Sequence, residues 1–243
     1  KIKASKKAPL GATQFKFNGI ALSEKFNSKI TANFELNVLP SGRIFHIVSP
    51  DPRIVEAGKA FGIRLKTYLN NKVDESYEGL HTLNFKINAN PSPNNVEPEF
   101  IEQLQIEFDK GIGETPPIFL FTNAAEEPTL RIVDTSVGGP RSKDIEFEVI
   151  SSQLDFFLVT LQKTILNKDK FGKNNQIMAM DAYGNLINHF AQDCKLIAEE
   201  SSGKIYISDE ETSNISSDAF KEGIIDLEEL GISYESSIPA NLP

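Results

Sequence analysis

The feature that most constrains the fold is a strict alternation of apolar and polar residues over short segments separated by turn residues. In a β-strand successive side chains point to opposite faces, so this pattern predicts strands with one buried and one wet face. The clearest case is residues 29–39. Its apolar positions are Ile30, Ala32, Phe34, Leu36 and Val38.

Turn residues 40–42 follow, so we expect residues 29–39 to form an antiparallel hairpin with residues 43–49. Residues 154–166 show both a helical stripe and an alternation, and a strand is the favoured interpretation. Two further hairpins are expected, 176–181 with 186–190 and 195–198 with 204–208. Similar patterns predict strands at 14–18, 63–69, 83–87, 105–109, 118–122, 130–134 and 145–150.

Three short helical segments interrupt this pattern. Asp51 is a candidate N-cap for a helix over residues 52–61, and residues 99–104 suggest a helical turn. A last helix is expected to begin at Ser217 or Asp218 and to end at Gly231. The predicted fold is therefore mainly β, a sandwich or barrel of short antiparallel strands with a few short helices, with α+β as the alternative.

Composition along the chain suggests three regions. Residues 1–13 form a basic N-terminal arm, residues 14–208 a β-rich body, and residues 209–243 an acidic C-terminal helix and tail. Within the body, residues 89–98 hold three prolines and three asparagines, which makes them the candidate internal boundary.

The two ends carry opposite charge. Residues 1–17 sum to +5 and residues 195–243 to -8, within a net charge of -9. Both ends can be solvated tails, or they can be contact arms that meet partners of opposite sign. On the second interpretation the candidate interface residues are Lys1, Lys3, Lys6 and Lys7, which approach an acidic surface, and Phe220, Ile224 and Leu227 of the last helix, which dock on a neighbour.

Residues with catalytic potential are few. His46, His81 and His189 are far apart and lie in no metal-binding motif, and Cys194 is the single cysteine, which excludes an internal disulfide. We therefore expect no metal, no cofactor and no enzymatic activity. The best candidate anion-binding loop is 136–143, because tandem glycines expose N–H groups next to two cations. Its residues are Gly138, Gly139, Arg141 and Lys143.

These features favour a non-enzymatic structural subunit of a large assembly, such as a virus or phage particle, whose partners are other protein subunits in an oligomer. No apolar run approaches the ~20 residues of a membrane span, so no membrane partner is expected. Without a visible secretory signal, the predicted location is cytoplasmic or in a virion.

The alternative function is single-stranded nucleic-acid binding by a β-barrel with an acidic C-terminal region. Aromatic and basic side chains offer a stacking surface, namely Phe15, Phe17, Phe45 and Tyr68 with Lys16, Arg43, Arg64 and Lys66. The acidic C-terminal third has some likeness to the single-stranded-DNA-binding proteins of phages. It lacks their long acidic run with a terminal aromatic, so no membership of that family is assigned.

Overall fold

The computed structural model describes residues 11–20, 29–38, 42–198 and 203–236, with side chains from residue 42 onwards. This part of the chain is mainly β, as predicted, and its curled antiparallel sheets form a half-barrel. Helical residues there amount to one 3₁₀ turn, Ser217–Ala219.

The first two strands form a separate hairpin. Strand β1 (Gly11–Ile20) pairs with β2 (Lys29–Val38) over ten antiparallel residue pairs. The prediction that residues 29–39 pair with 43–49 is wrong, because β2 finds a partner of its own length in β1. Phe34 and its apolar neighbours in β2 are expected to be buried, but their side chains are not among those described.

The next twelve strands build the larger unit. Seven follow each other in the order β13-β12-β7-β9-β10-β5-β3, and β6 pairs with β5. Strands β8 and β11 pair antiparallel, whereas β4 and β14 pair parallel. The bounds are β3 (Ile44–Ser49), β4 (Ile54–Glu56), β5 (Arg64–Leu69), β6 (Lys72–Val73), β7 (Gly79–Asn88), β8 (Glu99–Phe100), β9 (Gln103–Asp109), β10 (Ile112–Glu114), β11 (Phe119–Leu120), β12 (Thr129–Asp134), β13 (Ile145–Glu146) and β14 (Glu148–Ile150).

Apolar side chains from both sides of residues 89–98 meet in one core, here called the first core, which runs from Phe45 to Val149. Leu83 and Phe85 precede this segment and Phe108 follows it, and all three are buried there. Strands β7 and β9 also pair across it. The candidate boundary at 89–98 therefore lies within one packed unit.

Two helical predictions in this unit are wrong. Residues 54–56 of the expected helix 52–61 form β4, because Val55 pairs with Val149 of β14 and is buried in the first core. Residues 99–104 form β8 and the start of β9 instead of a helical turn. In both places pairing with a distant strand replaces the local helical preference.

The remaining strands enclose the second core, which runs from Ile177 to Ile232. Strands β15, β16 and β21 form one sheet, β17 pairs with β20, and β18 lies between β19 and β22. The bounds are β15 (Phe156–Thr160), β16 (Gln176–Met180), β17 (Cys194–Lys195), β18 (Lys204–Ile207), β19 (Glu210–Glu211), β20 (Asn214–Ile215), β21 (Ile224–Asp226) and β22 (Ile232–Glu235).

The strand favoured within residues 154–166 is confirmed by β15. The last predicted helix is wrong: after the 3₁₀ turn the backbone enters β21, whose residues pair with β16. The hairpin of 195–198 with 204–208 is also wrong, because β17 and β18 pair with later strands. For the predicted hairpin of 176–181 with 186–190, the structure has the turn and a single bridge between Met180 and Leu186. The strand partners of β16 are β15 and β21 instead of residues 186–190.

A turn from the second unit docks on the first core. Asp181 is fully buried, and its carboxylate accepts hydrogen bonds from the backbone N–H groups of Ser152, Tyr183 and Asn185. The Tyr183 side chain packs on the first core and against Gly58, whose φ of +74° and lack of a side chain leave room for the ring. This turn ties the two units together.

Candidate docking surface

The sheet formed by β15, β16 and β21 has an apolar inner face, and its outer face is apolar at one end and polar at the other, where Thr160, Gln176 and Asp226 lie in one row. On its inner face Phe157, Ile177 and Ile225 pack in the second core. The side chains of the other phase form its outer face: Phe156 lies opposite Met180, and Leu158, Met178 and Ile224 lie in one row across the three strands. We call Phe156, Leu158, Met178, Met180 and Ile224 the outer apolar face.

Much of this face is exposed. Phe156 and Leu158 are 36% and 43% exposed, and Met178, Met180 and Ile224 are half-buried. Leu154 and Leu161, which flank β15, are 40% and 49% exposed. A contiguous apolar patch of this kind is uncommon on a monomer and typical of a protein interaction site.

Strand β15 is also an edge strand. It is hydrogen-bonded to β16 on one side, and within the described ranges no strand pairs with its other side. Residues 156–161 contain no charge, no proline and no glycine. An apolar edge strand without these features is a ready template for pairing with another strand.

The direction of the free backbone groups follows from β16. Ala179 donates its N–H to the Gly223 carbonyl, away from β15. Backbone groups alternate in direction along a strand, so the N–H and C=O groups of Met178 and Met180 point to β15. Met178 pairs there with Leu158, and Met180 pairs with Phe156. The N–H and C=O groups of Phe157 and Val159 therefore point to the open edge.

The predicted interface residues are divided by the structure. Ile224 lies on the outer apolar face, whereas Phe220 and Leu227 are only 7% and 3% exposed and belong to the second core. Their expected docking face is corrected, because it required a helix that β21 replaces. Lys1, Lys3, Lys6 and Lys7 lie outside the described residues.

The candidate anion loop at 136–143 is built around a buried carboxylate. Gly138 has a φ of +78°, and a Cβ on Gly139 would lie 2.7 Å from the Cβ of Asp134. Gly139 donates its N–H to the Ser136 carbonyl, while Arg141 and Lys143 are exposed. Close packing on Asp134 thus accounts for Gly139, and anion binding by this loop stays a prediction.

Asp134 is the centre of a polar cluster beneath that loop. Its carboxylate accepts hydrogen bonds from Tyr77 Oη at 2.5 Å and from Ser136 N–H at 2.7 Å, and His81 Nδ1 lies 3.1 Å away. Burial alone would raise the pKa of Asp134, but these hydrogen bonds outweigh it and the pKa lies below its usual range. Burial, then the hydrogen bond to Asp134, raises the pKa of Tyr77. The cluster connects β12 to Tyr77, which precedes β7, and to His81 within β7.

The proposed stacking surface for nucleic acid does not assemble as expected. Phe45 is buried in the first core. Arg43 pairs with the Asp74 carboxylate at 2.5 Å, and Arg64 pairs with Glu114 at 3.0 Å. Tyr68 lies against the ring of His46. Phe15, Phe17 and Lys16 have no described side chains.

The residues with catalytic potential lie in different parts of the structure. His81 belongs to the Asp134 cluster, and His189 lines two open cavities of 530 and 370 Å³ that also share Ser151. Burial, and to a lesser degree Asp193, raises the pKa of Cys194, which keeps the thiol protonated and opposes a nucleophilic role. Across the described ranges, no three His, Cys, Asp or Glu side chains are grouped as metal ligands would be.

Sequence patterns did not single out Phe156, Leu158, Met178 and Met180. The available signal was that residues 156–159 and 177–180 are apolar in both phases of the alternation, which indicates a strand with two apolar faces. A sheet in the interior of a protein produces the same signal, so the sequence alone does not separate a covered face from an open one.

No helix in the described part of the chain is long and apolar enough to span a membrane. Neither any protein-family model nor any curated protein matches this chain.

Proposed function

We propose that this protein is a non-enzymatic structural subunit that joins an assembly through the outer apolar face and the open edge of β15. The observation that carries the proposal is the sheet β15-β16-β21, whose inner face packs in the second core while the outer apolar face stays partly exposed within the described residues. Burying apolar surface contributes about 25 cal/mol per Å², so covering this face favours association.

The open edge of β15 makes the association directional, because backbone hydrogen bonds fix the orientation of the partner. A partner strand on β15 satisfies the backbone groups of Phe157 and Val159, and a pairing strand sets the orientation of the two proteins. The opposite charges of residues 1–17 and 195–243 suit contacts between neighbouring subunits as well. A large particle such as a virion is the setting we propose.

Sedimentation velocity over a wide concentration range tests the proposal. We expect the wild type to self-associate and Leu158→Lys to bind at least roughly tenfold more weakly, because the ammonium group must be desolvated at the contact. The matched control is Leu80→Lys, since Leu80 is an exposed leucine on β7, at 60% exposure, away from β15.

The control should associate like the wild type, and all three proteins should unfold at similar temperatures. A wild type that stays monomeric at the highest concentration would contradict the proposal, as would an unchanged affinity in Leu158→Lys.

Single-stranded nucleic acid remains the alternative ligand, but it has weaker support. A groove for single strands needs exposed aromatic rings between free cations. Phe45 is buried, and the charges of Arg43 and Arg64 are already paired.

A further inference from the structure

We infer that the occupant of the open β15 edge is β15 of a second copy of this chain, in an antiparallel register centred on Val159. This inference rests on the proposed function and names the partner and the register. It is carried by three observations: the direction of the free backbone groups, the apolar side chains along the edge, and the charges that flank them.

Backbone geometry allows the pairing. In an antiparallel pair centred on Val159, each Val159 lies opposite the other, and Phe157 lies opposite Leu161 of the second copy. Phe157 and Val159 are the residues whose N–H and C=O groups point to the open edge. The two β15 strands can therefore exchange hydrogen bonds without a change in the existing pairing with β16.

Charge selects this register. Asp155 and Lys163 flank the uncharged stretch of residues 156–161, and both are exposed. Centring on Val159 brings Asp155 of each copy towards Lys163 of the other, since the two residues lie just beyond opposite ends of β15, and the two-fold axis then allows two ion pairs. Centring on Leu158 instead places Asp155 opposite Leu161 and leaves Lys163 without a carboxylate.

The side chains also match. Val159 is 48% exposed although it lies on the inner face, because no described strand covers it at the edge. Pairing places Val159 against Val159 of the second copy. The paired β15 strands join the two three-stranded sheets into one six-stranded sheet. The outer apolar faces of the two copies then become continuous, which enlarges the area available to further subunits.

Cysteine cross-linking tests the register. In a background in which Cys194 is replaced by Ser, Val159→Cys places two thiols on directly opposed residues, whose Cα atoms are about 5.5 Å apart in such a pair. Leu158→Cys is the matched control, because the two residues 158 lie diagonally at about 7 to 8 Å. Oxidation should convert Val159→Cys to a disulfide-linked dimer and leave Leu158→Cys largely unlinked.

Charge reversal provides an independent test. Asp155→Lys and Lys163→Asp each place like charges opposite each other twice per dimer, so each should weaken self-association by about tenfold. The double variant restores opposite charges and should return the affinity to near that of the wild type. Unfolding temperatures of all variants under reducing conditions show whether the monomer is intact.

The outcomes separate the two levels of the proposal. If the wild type associates but Leu158→Cys cross-links in place of Val159→Cys, or if the double charge reversal fails to restore affinity, this pairing is overturned while the role in assembly stands. If the wild type does not associate at all, both are overturned.

Discussion

At the scale of single residues, Asp134 shows how a buried charge is stabilised by its surroundings. Its side chain is 1% exposed, and three neighbouring groups are directed at its two oxygens. Tyr77 in turn packs on Phe108 and Phe45 of the first core. The polar cluster is thus embedded in aromatic packing, and loss of the carboxylate leaves buried donors without an acceptor.

We therefore expect Asp134→Ala to lower the free energy of unfolding by about 2 to 4 kcal/mol at neutral pH. The lowered pKa of Asp134 means that the carboxylate stabilises the fold above the unfolded value of about 3.9, and this contribution is lost as pH falls further. Urea unfolding between neutral and acid pH should show the difference between wild type and variant shrinking below about pH 4.

Asp144→Asn is the control, because Asp144 pairs with Arg131 on the surface. It should cause a much smaller loss. A difference between the wild type and Asp134→Ala that is unaffected by acid would contradict the assignment.

At the scale of elements, β21 shows how neighbouring residues acquire different roles. Ile225 is 1% exposed and packs in the second core, whereas Ile224 lies on the outer apolar face. The helical spacing of Phe220, Ile224 and Leu227 predicts a helix here. Alternation along β21, set by its pairing with β16, decides which isoleucine is buried.

Ile225→Ala should therefore lower the free energy of unfolding by about 2 to 5 kcal/mol through a cavity in the second core. Ile224→Ala should cost about 1 kcal/mol or less in the monomer and should weaken self-association. Urea unfolding and sedimentation velocity measure the two effects. Equal losses of stability in the two variants would be inconsistent with the two-faced sheet.

At the scale of the whole molecule, the docked turn at residues 181–185 couples the two cores. Asn185 is buried, its Nδ2 donates to the Thr122 carbonyl, and its Oδ1 accepts from the Ala124 N–H, each at 2.9 Å. These bonds reach from the second unit to the chain after β11. The coupling therefore depends on a few polar contacts beside the packing of Tyr183.

Asn185→Ala leaves Thr122 and Ala124 with unsatisfied backbone groups at the contact, so we expect a loss of about 2 to 4 kcal/mol. We also expect calorimetry to resolve two transitions, because the cores become partly independent. Asn214→Ala, at an exposed position in β20, is the control. A single transition at the wild-type temperature would show that the turn does not couple the cores.

Local pattern was sufficient to determine the mainly β class and many strand positions. The strands at residues 63–69, 83–87 and 130–134 correspond to β5, β7 and β12. Alternation reports which face of a strand is apolar, and this property depends on the side chains of that strand alone. Helical spacing, and not alternation, predicts Ile224 as an interface residue, and its position on the outer apolar face follows from β21 instead.

Only the tertiary structure decided which strands pair and which apolar faces stay open. Residues 29–38 pair with 11–20, and β18 pairs with β22, because strand pairing depends on distant partners that local spacing does not encode. The sequence pattern of β15 is the same whether or not a second layer covers its apolar residues. Their exposure follows from the position of β15 at the edge of its sheet, and that position is a property of the whole chain.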